Sequence, residues 1–402
     1  MPTEMPELSV GAAGRSKRMP EGFKIRHLDI RTEYPAPAYK PIKLPAGCWK
    51  NGMIVRMPNH LGDSVMALPA LEALRKIVPE NYALYVLAPA NLRKMFLSLP
   101  FVDGFIGLKK PHQWWSKKEL AAVRKKRFGA AVMFNRSFRD TVMLRLAGVD
   151  HVYGLPGNAF RGLFLSANFR KAPGQGNASG HLTRQYLAMA TALGAPEWNG
   201  DLPPFKLITA PDENRPPVNA LCAHPQLLVI CPGAAYGSAK RWSELGFRAV
   251  SSFWIDRGGV VAVVGGGSER EVGERIAKGL WPEKIFNLCG KTDLDELMWL
   301  LKSAMITLAN DSGVMHLGAA LGGSGLTVFG PTDYTATGPI SANWSLLSDF
   351  PACAPCFSHD CPSNGHVCMK AVSSEQVKNE IIAILAKRNI RLSAPQNADS
   401  GE

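Results

Sequence analysis

The chain has 402 residues, too many for one ordinary hydrophobic core, so two domains are the starting expectation. Apolar residues at 46% and charged residues at 20% exclude a disordered or fibrous protein. The net charge of +13, from 46 basic and 33 acidic residues, favours a polyanionic partner.

No stretch approaches the roughly 18 to 20 apolar residues that span a bilayer, and no continuous apolar run follows the early charges, so neither an integral nor a secreted protein is expected. Eight cysteines are spread over a long chain, which fits a reducing cytoplasm better than a disulfide scaffold. Residues 1–48 are rich in proline and charge and read as a flexible extension.

From Met53 an apolar run enters the turn Asn59-His60-Leu61-Gly62-Asp63-Ser64, and an amphipathic helix is expected over Ser64–Ile77. Gly62 permits close backbone approach, and Asp63 stands beside a helix start. A carboxylate there either takes a proton from an attacking hydroxyl or simply caps the helix. Further apolar runs at Tyr82–Ala88, Phe105–Leu108 and Ala130–Phe134 alternate with helical stretches, the last being Phe138–Ala147 before Gly148. Between them, Lys109 to Arg127 holds eight basic residues against Glu119 alone, with Trp114 and Trp115 alongside. This is either a solvated helix face or a face for an anionic membrane surface.

Prolines cluster between Pro203 and Pro225, so a linker is expected over 211–225, dividing a domain over 49–210 from another over 226–385, with a flexible tail over 386–402. The alternation then restarts: strands at Leu227–Cys231, Val260–Val264, Met305–Ala309 and Leu326–Phe329 alternate with helices at Trp242–Arg257, Glu269–Gly279, Asp293–Ser303 and Val314–Leu321. The expected fold is α/β: two Rossmann-like domains facing each other across a cleft where strand carboxyl ends place ligands.

Three loops of the second half carry chemistry. Pro232-Gly233-Ala234-Ala235-Tyr236-Gly237-Ser238-Ala239-Lys240-Arg241-Trp242 offers open backbone amides and cations for a phosphate, but lacks the ending of a P-loop. Val264-Gly265-Gly266-Gly267-Ser268-Glu269 fails the dinucleotide fingerprint because Arg270 replaces its last glycine, which leaves Glu269 available to ribose hydroxyls. Asn310-Asp311-Ser312-Gly313-Val314-Met315-His316-Leu317 places Asp311 and Ser312 before a helix and His316 one turn inside it, an anion site or an ordinary cap. Cys353, Cys356, Cys361 and Cys368 are spaced C-x2-C-x4-C-x6-C; a C-x2-C pair beside two further thiols could bind zinc, but the spacing matches no standard four-ligand site.

Together these residues resemble glycosyltransferase family 9, the ADP-heptose:lipopolysaccharide heptosyltransferase family, from about Met53 to Val377. The resemblance is carried by Leu61-Gly62-Asp63-Ser64-Val65 with Leu68-Pro69-Ala70-Leu71, by the Pro-Gly-Ala-Ala loop ending in Lys240-Arg241-Trp242, by Asn310-Asp311-Ser312-Gly313 with His316-Leu317, and by Phe329-Gly330-Pro331-Thr332. It implies a GT-B fold and inverting, metal-independent transfer with no cofactor beyond the donor, ADP-L-glycero-D-manno-heptose. By position, Asp63 matches the catalytic base, Lys240 the holder of the donor phosphates, Glu269 the acid on the ribose, and Thr292 the adenine contact. Asp311, Ser312, Gly313 and His316 match the loop around diphosphate and heptose. The implied acceptor is lipid-linked lipopolysaccharide inner core, reached by a cytoplasmic enzyme peripheral on the inner membrane. Two rival readings are another family 9 donor or acceptor and a nucleotide-sugar epimerase of similar architecture. A basic nucleic-acid-binding protein is disfavoured, since no nucleic-acid motif is present.

Overall fold

A computed structural model describes residues 23–26, 37–157, 159–172, 180–207, 216–234, 237–363 and 365–392. Its strands are β1 (Phe23–Arg26), β2 (Met53–Arg56), β3 (Leu84–Pro89), β4 (Gly104–Leu108), β5 (Ala130–Met133), β6 (His151–Gly154), β7 (Ala167–Asn168), β8 (Leu227–Cys231), β9 (Val260–Val263), β10 (Ile285–Asn287), β11 (Ile306–Asn310), β12 (Gly325–Phe329) and β13 (Trp344–Asp349). They form two sheets, ordered β4-β3-β2-β5-β6-β7 and β1-β13-β12-β11-β8-β9-β10. The first is parallel throughout, and only β1 runs antiparallel in the second.

Strands β2, β5, β8, β9, β11 and β12 are buried at every residue, as expected for parallel strands covered by helices on both faces. Their apolar side chains feed three clusters. One lies outside the first sheet around Ile54, Leu87 and Trp115, another outside the second around Ile230, Trp254 and Ile306. The third is continuous from Met53 and Leu84 to Leu227, Ala309 and Trp344, so the two halves share a core behind the cleft.

In each sheet the strand order reverses beside the first strand of its Rossmann-like unit, between β2 and β5 and between β8 and β11. A crevice opens at such a reversal, at the carboxyl ends of the strands. The loops carrying Asp63, Lys240 and Asp311 follow β2, β8 and β11.

The structure differs from the sequence reading at four places. The helix expected over Ser64–Ile77 is two, α1 (Leu61–Met66) and α2 (Leu68–Arg75), joined at Ala67, because Pro69 has no N–H to continue the first ladder. A helix spans Pro216–Ala223 inside the expected linker. Its prolines open it, where a missing N–H is tolerated, and its Val218 and Leu221 are buried. Within the extension expected to be loose, β1 completes the edge of the second sheet by pairing with β13, Ile25 opposite Leu347. The expected tail holds the last turn of the helix Ser374–Lys387, and residues 393–402 lie outside the described residues. Among the described residues no helix is long and apolar enough to cross a membrane.

Candidate active site

The front wall of the cleft is built on β2. Arg56, fully buried at the end of that strand, donates from Nε to Asp140 Oδ2 at 2.7 Å and from Nη2 to Asn59 Oδ1 at 2.6 Å. Asp140 also accepts from Asn135 Nδ2 at 2.8 Å and Trp115 Nε1 at 2.9 Å. A buried ion pair braced by further hydrogen bonds on both carboxylate oxygens is rigid, and here it fixes the Pro58-Asn59-His60 turn. Ser64 Oγ adds a bond to the Pro58 carbonyl at 3.0 Å. His60 is the N-cap of α1 and makes no side-chain cap bond, so Asp63 lies in the first turn of the helix instead of at its cap. Among the described residues the Asp63 carboxylate accepts no hydrogen bond, and capping therefore does not account for it.

The rear wall is built on β8 and β11. Lys240 ends a single helical turn, Ser238–Lys240, and its Nζ lies 2.6 Å from Asp311 Oδ2. Thr332 Oγ1, from the loop after β12, donates to the same oxygen at 2.6 Å. Asn310 binds the two loops together: its Nδ2 donates to the Pro232 carbonyl at 2.7 Å, and its Oδ1 accepts from the Trp242 amide at 3.0 Å. Two further helices matter here, α3 (Leu294–Ser303) and α4 (Gly313–Ala320). Ser312 is the N-cap of α4, but its Oγ is buried with no hydrogen-bond partner among the described residues. The amides at that helix start and this hydroxyl are donors of the kind that can hold an anion.

The two walls meet where α1 and α4 touch through glycines. A Cβ on Gly62 would lie 2.8 Å from Cδ2 of His316, and one on Gly313 would lie 2.9 Å from Cβ of Leu61. Only glycine lets the helix starts approach this closely. Beside the contact lies a cavity of about 320 Å³ lined by His60, Gly62, Asp63, Met66, Lys240, Asp311, Ser312, Gly313, His316 and Thr337. Burial holds the Asp63 carboxyl above the ordinary carboxylate range. His60 and Lys240 pull it down and Asp311 pushes it up. Burial also drives the His316 imidazole down to about 4, so it is neutral at neutral pH.

Of the residues singled out from the sequence, Gly62, Asp63, Lys240, Asp311, Ser312, Gly313 and His316 surround this one cavity. Glu269 and Thr292 do not line it. Glu269 sits after β9, packed where Cβ atoms on Gly233, Gly265 and Gly266 would fall, and Thr292 precedes Asp293, which caps α3. Both therefore lie on loops at the same edge of the second sheet. Ala235 and Tyr236 fall outside the described residues. Sequence reading gave Thr332 no role, although its place in Phe329-Gly330-Pro331-Thr332 was a signal, and it missed Asn310 as the tie between loops.

The cysteine segment packs behind the lysine turn. The His359 carbonyl accepts from the Ala239 amide at 3.2 Å, Asp360 Oδ1 accepts from Ser238 Oγ at 2.6 Å, and the Phe357 amide donates to the Pro331 carbonyl at 2.8 Å. Cys353, Cys356, Cys361 and Cys368 line a small cavity of about 60 Å³ there with His366. Among the described residues no three ligating side chains are grouped closely enough to hold a metal ion.

Residues 118–366 match the family model described as glycosyltransferase family 9 (heptosyltransferase). The chain belongs to glycosyltransferase family 9. It is thus a glycosyltransferase, and the matched residues hold the rear wall with Lys240 and Asp311, whereas β2 and Asp63 of the front wall precede them. It is 26% identical over 346 residues to lipopolysaccharide heptosyltransferase 2 of Escherichia coli K12, covering 83% of this chain and 98% of that protein. Among solved structures it superposes on the E. coli ADP-heptose lps heptosyltransferase II with a TM-score of 0.68 at 23% identity, covering 84% of this chain and 99% of that one. A family 9 glycosyl transferase from Veillonella parvula gives 0.69 at 19% identity, covering 88% and 99%. These likenesses establish the GT-B arrangement of two Rossmann-like units for this family 9 chain.

Proposed function

We propose that this enzyme transfers heptose from ADP-L-glycero-D-manno-heptose to a lipid-linked inner core of lipopolysaccharide, with inversion at the anomeric carbon. The observation that carries the reading is a single cavity lined by a front-wall carboxylate that accepts no hydrogen bond among the described residues and, opposite it, a lysine and an open helix start. The names of the relatives supply the sugar and the acceptor class.

In this mechanism an acceptor hydroxyl attacks the anomeric carbon and passes its proton to Asp63. Burial makes that carboxylate more basic than an exposed one, which suits a general base. The bond from the anomeric carbon to the diphosphate oxygen breaks, and ADP departs with the electron pair on the face opposite the attack. Lys240 and the amides and hydroxyl at the start of α4 stabilise the growing charge on the diphosphate, so the positive charge for departure comes from the protein itself. Asp311 fixes the lysine and is placed to accept hydroxyls of the heptose. Glu269 takes the ribose and Thr292 the adenine, both on loops at the nucleotide side of the cavity. The acceptor's lipid places the work at the cytoplasmic face of the inner membrane.

The test is transfer of heptose from the ADP donor to a heptose-deficient, lipid-linked acceptor, read by mass. Interconversion of free nucleotide sugars without acceptor, and no acceptor product, would overturn the reading in favour of an epimerase.

A further inference from the structure

The edge of the first sheet beside the cleft presents charge and aromatic surface that the site does not use. After β4 the chain runs through Lys109 and Lys110 to Trp114 and Trp115 and enters a helix over Lys117–Lys126. The two tryptophans take opposite roles. Trp115 is buried, with Nε1 donating to Asp140 Oδ1 at 2.9 Å, and so pins the loop to the network behind Asn59. Its neighbour Trp114 is 55% exposed.

The charges around Trp114 are predominantly of one sign. Lys109, Lys110, Lys117 and Lys118 are exposed, and among the described residues they form no ion pair. Glu119, the one acid of the stretch, is turned onto the local backbone. Its carboxylate accepts from the Lys109 amide at 2.7 Å and from the Ser116 amide at 2.6 Å, closing a capping box. The helix is therefore held by its acid, while its first two lysines, Lys117 and Lys118, form no ion pair among the described residues. The loop also adjoins the catalytic turn, since the His112 ring lies 6.4 Å from the ring of His60, a residue lining the cleft cavity.

We infer that this edge, Trp114 with Lys109, Lys110, Lys117 and Lys118, seats the enzyme on the headgroup layer of an anionic lipid bilayer, with the mouth of the cleft at the membrane surface. An exposed indole is suited to the water–lipid interface, and each lysine near an anionic surface adds affinity that salt screens within a Debye length of about 8 Å at physiological ionic strength. Lipid-linked acceptor then reaches Asp63 without leaving its leaflet. The inference deepens the proposed function, because it rests on the acceptor's being lipid-linked.

Flotation with acceptor-free vesicles tests it, comparing phosphatidylethanolamine mixed with phosphatidylglycerol against phosphatidylcholine alone. The full chain should float with the anionic vesicles and detach as salt rises. The double variant Lys117→Glu/Lys118→Glu should bind about 10-fold more weakly or worse, Trp114→Ala should also bind more weakly, and both should melt like the wild type. Equal binding to both vesicle types, binding to neither, or undiminished binding by the double variant would each overturn the proposal. Transfer to a detergent-dispersed acceptor separates the two readings. Transfer without vesicle binding removes this surface and leaves the reaction standing, whereas vesicle binding without transfer leaves the surface and removes the reaction.

Discussion

Lys240 Nζ stands 2.6 Å from Asp311 Oδ2, and the pair is 14% and 6% exposed, so a cation from the loop after β8 and an anion from the loop after β11 neutralise each other inside the cleft. Removing one partner of a buried pair strands the other charge, at a cost of about 3 to 5 kcal/mol. Lys240→Ala should therefore lower the melting temperature as well as weaken ADP binding. Adding Asp311→Asn should restore much of the lost stability, because no buried charge remains alone, yet ADP affinity should stay low. Calorimetric titration with ADP alongside thermal melts checks this, and a double variant that regained affinity would remove Lys240 from the phosphate site.

Asp63 presents the opposite balance, since burial raises its pKa and no hydrogen bond compensates among the described residues. The sign follows directly: a carboxyl with a raised folded pKa adds stability in its protonated form and loses it as pH rises through that pKa. At neutral pH the ionised side chain is thus a cost, and Asp63→Asn should leave stability equal or higher. The same change removes the proposed base and should reduce turnover by about 10² to 10⁴ while donor affinity is retained. The acid limb of the wild-type rate profile should fall above the 3.8 of an ordinary aspartate. Near-native turnover by the variant would exclude Asp63 as the base.

The contact between α1 and α4 makes Gly62 a sensitive position. A methyl there would sit 2.8 Å from the ring of His316, which is itself buried and cannot swing aside. Overpacking of this kind costs about 1 to 3 kcal/mol, and it would also part the two helix starts that frame the cavity. Gly62→Ala should lose both stability and activity. Gly162→Ala is the control, because its Cβ would meet no atom within 4 Å; it should change stability by less than about 0.5 kcal/mol.

Those glycines show what the sequence made legible. Gly62-Asp63, Lys240 and Asp311-Ser312-Gly313 each sit in a turn between an apolar strand and a helix, so local chemistry marked the loops and the alternation of strands predicted that they would share one edge. Thr332 could not be assigned a partner in this way. Its bond to Asp311 exists because β12 lies beside β11, a neighbour relation set by sheet order and not by spacing along the chain. The same reason hid β1, a four-residue strand whose partner β13 lies more than three hundred residues away. The break between α1 and α2 was readable in principle from Pro69, but the apolar periodicity runs straight through it.

A pH dependence of stability follows from two buried histidines, and the hydrogen bonds of one identify its tautomer. His181 Nδ1 accepts from the Thr183 amide at 3.2 Å, capping the helix Leu182–Ala192, so Nε2 must carry the hydrogen that reaches the Gly338 carbonyl at 2.9 Å. That second bond joins the front half of the chain to the rear. A second proton could go only to Nδ1, where it would abolish the cap and place a charge in the core. Burial accordingly lowers His181 to about 4, and lowers His316 to about 4 as well. With folded pKa values below the ordinary 6.5, both stabilise the fold above that pH and lose their contribution as pH falls toward 4. By about pH 5 the loss should reach roughly 2 kcal/mol for each. Denaturant midpoints measured between neutral pH and about pH 5 should decline for the wild type and decline less for His181→Gln. In that variant the side-chain amide can still donate to the Gly338 carbonyl but has nothing to titrate. An equal decline in both proteins would show that His181 is not responsible.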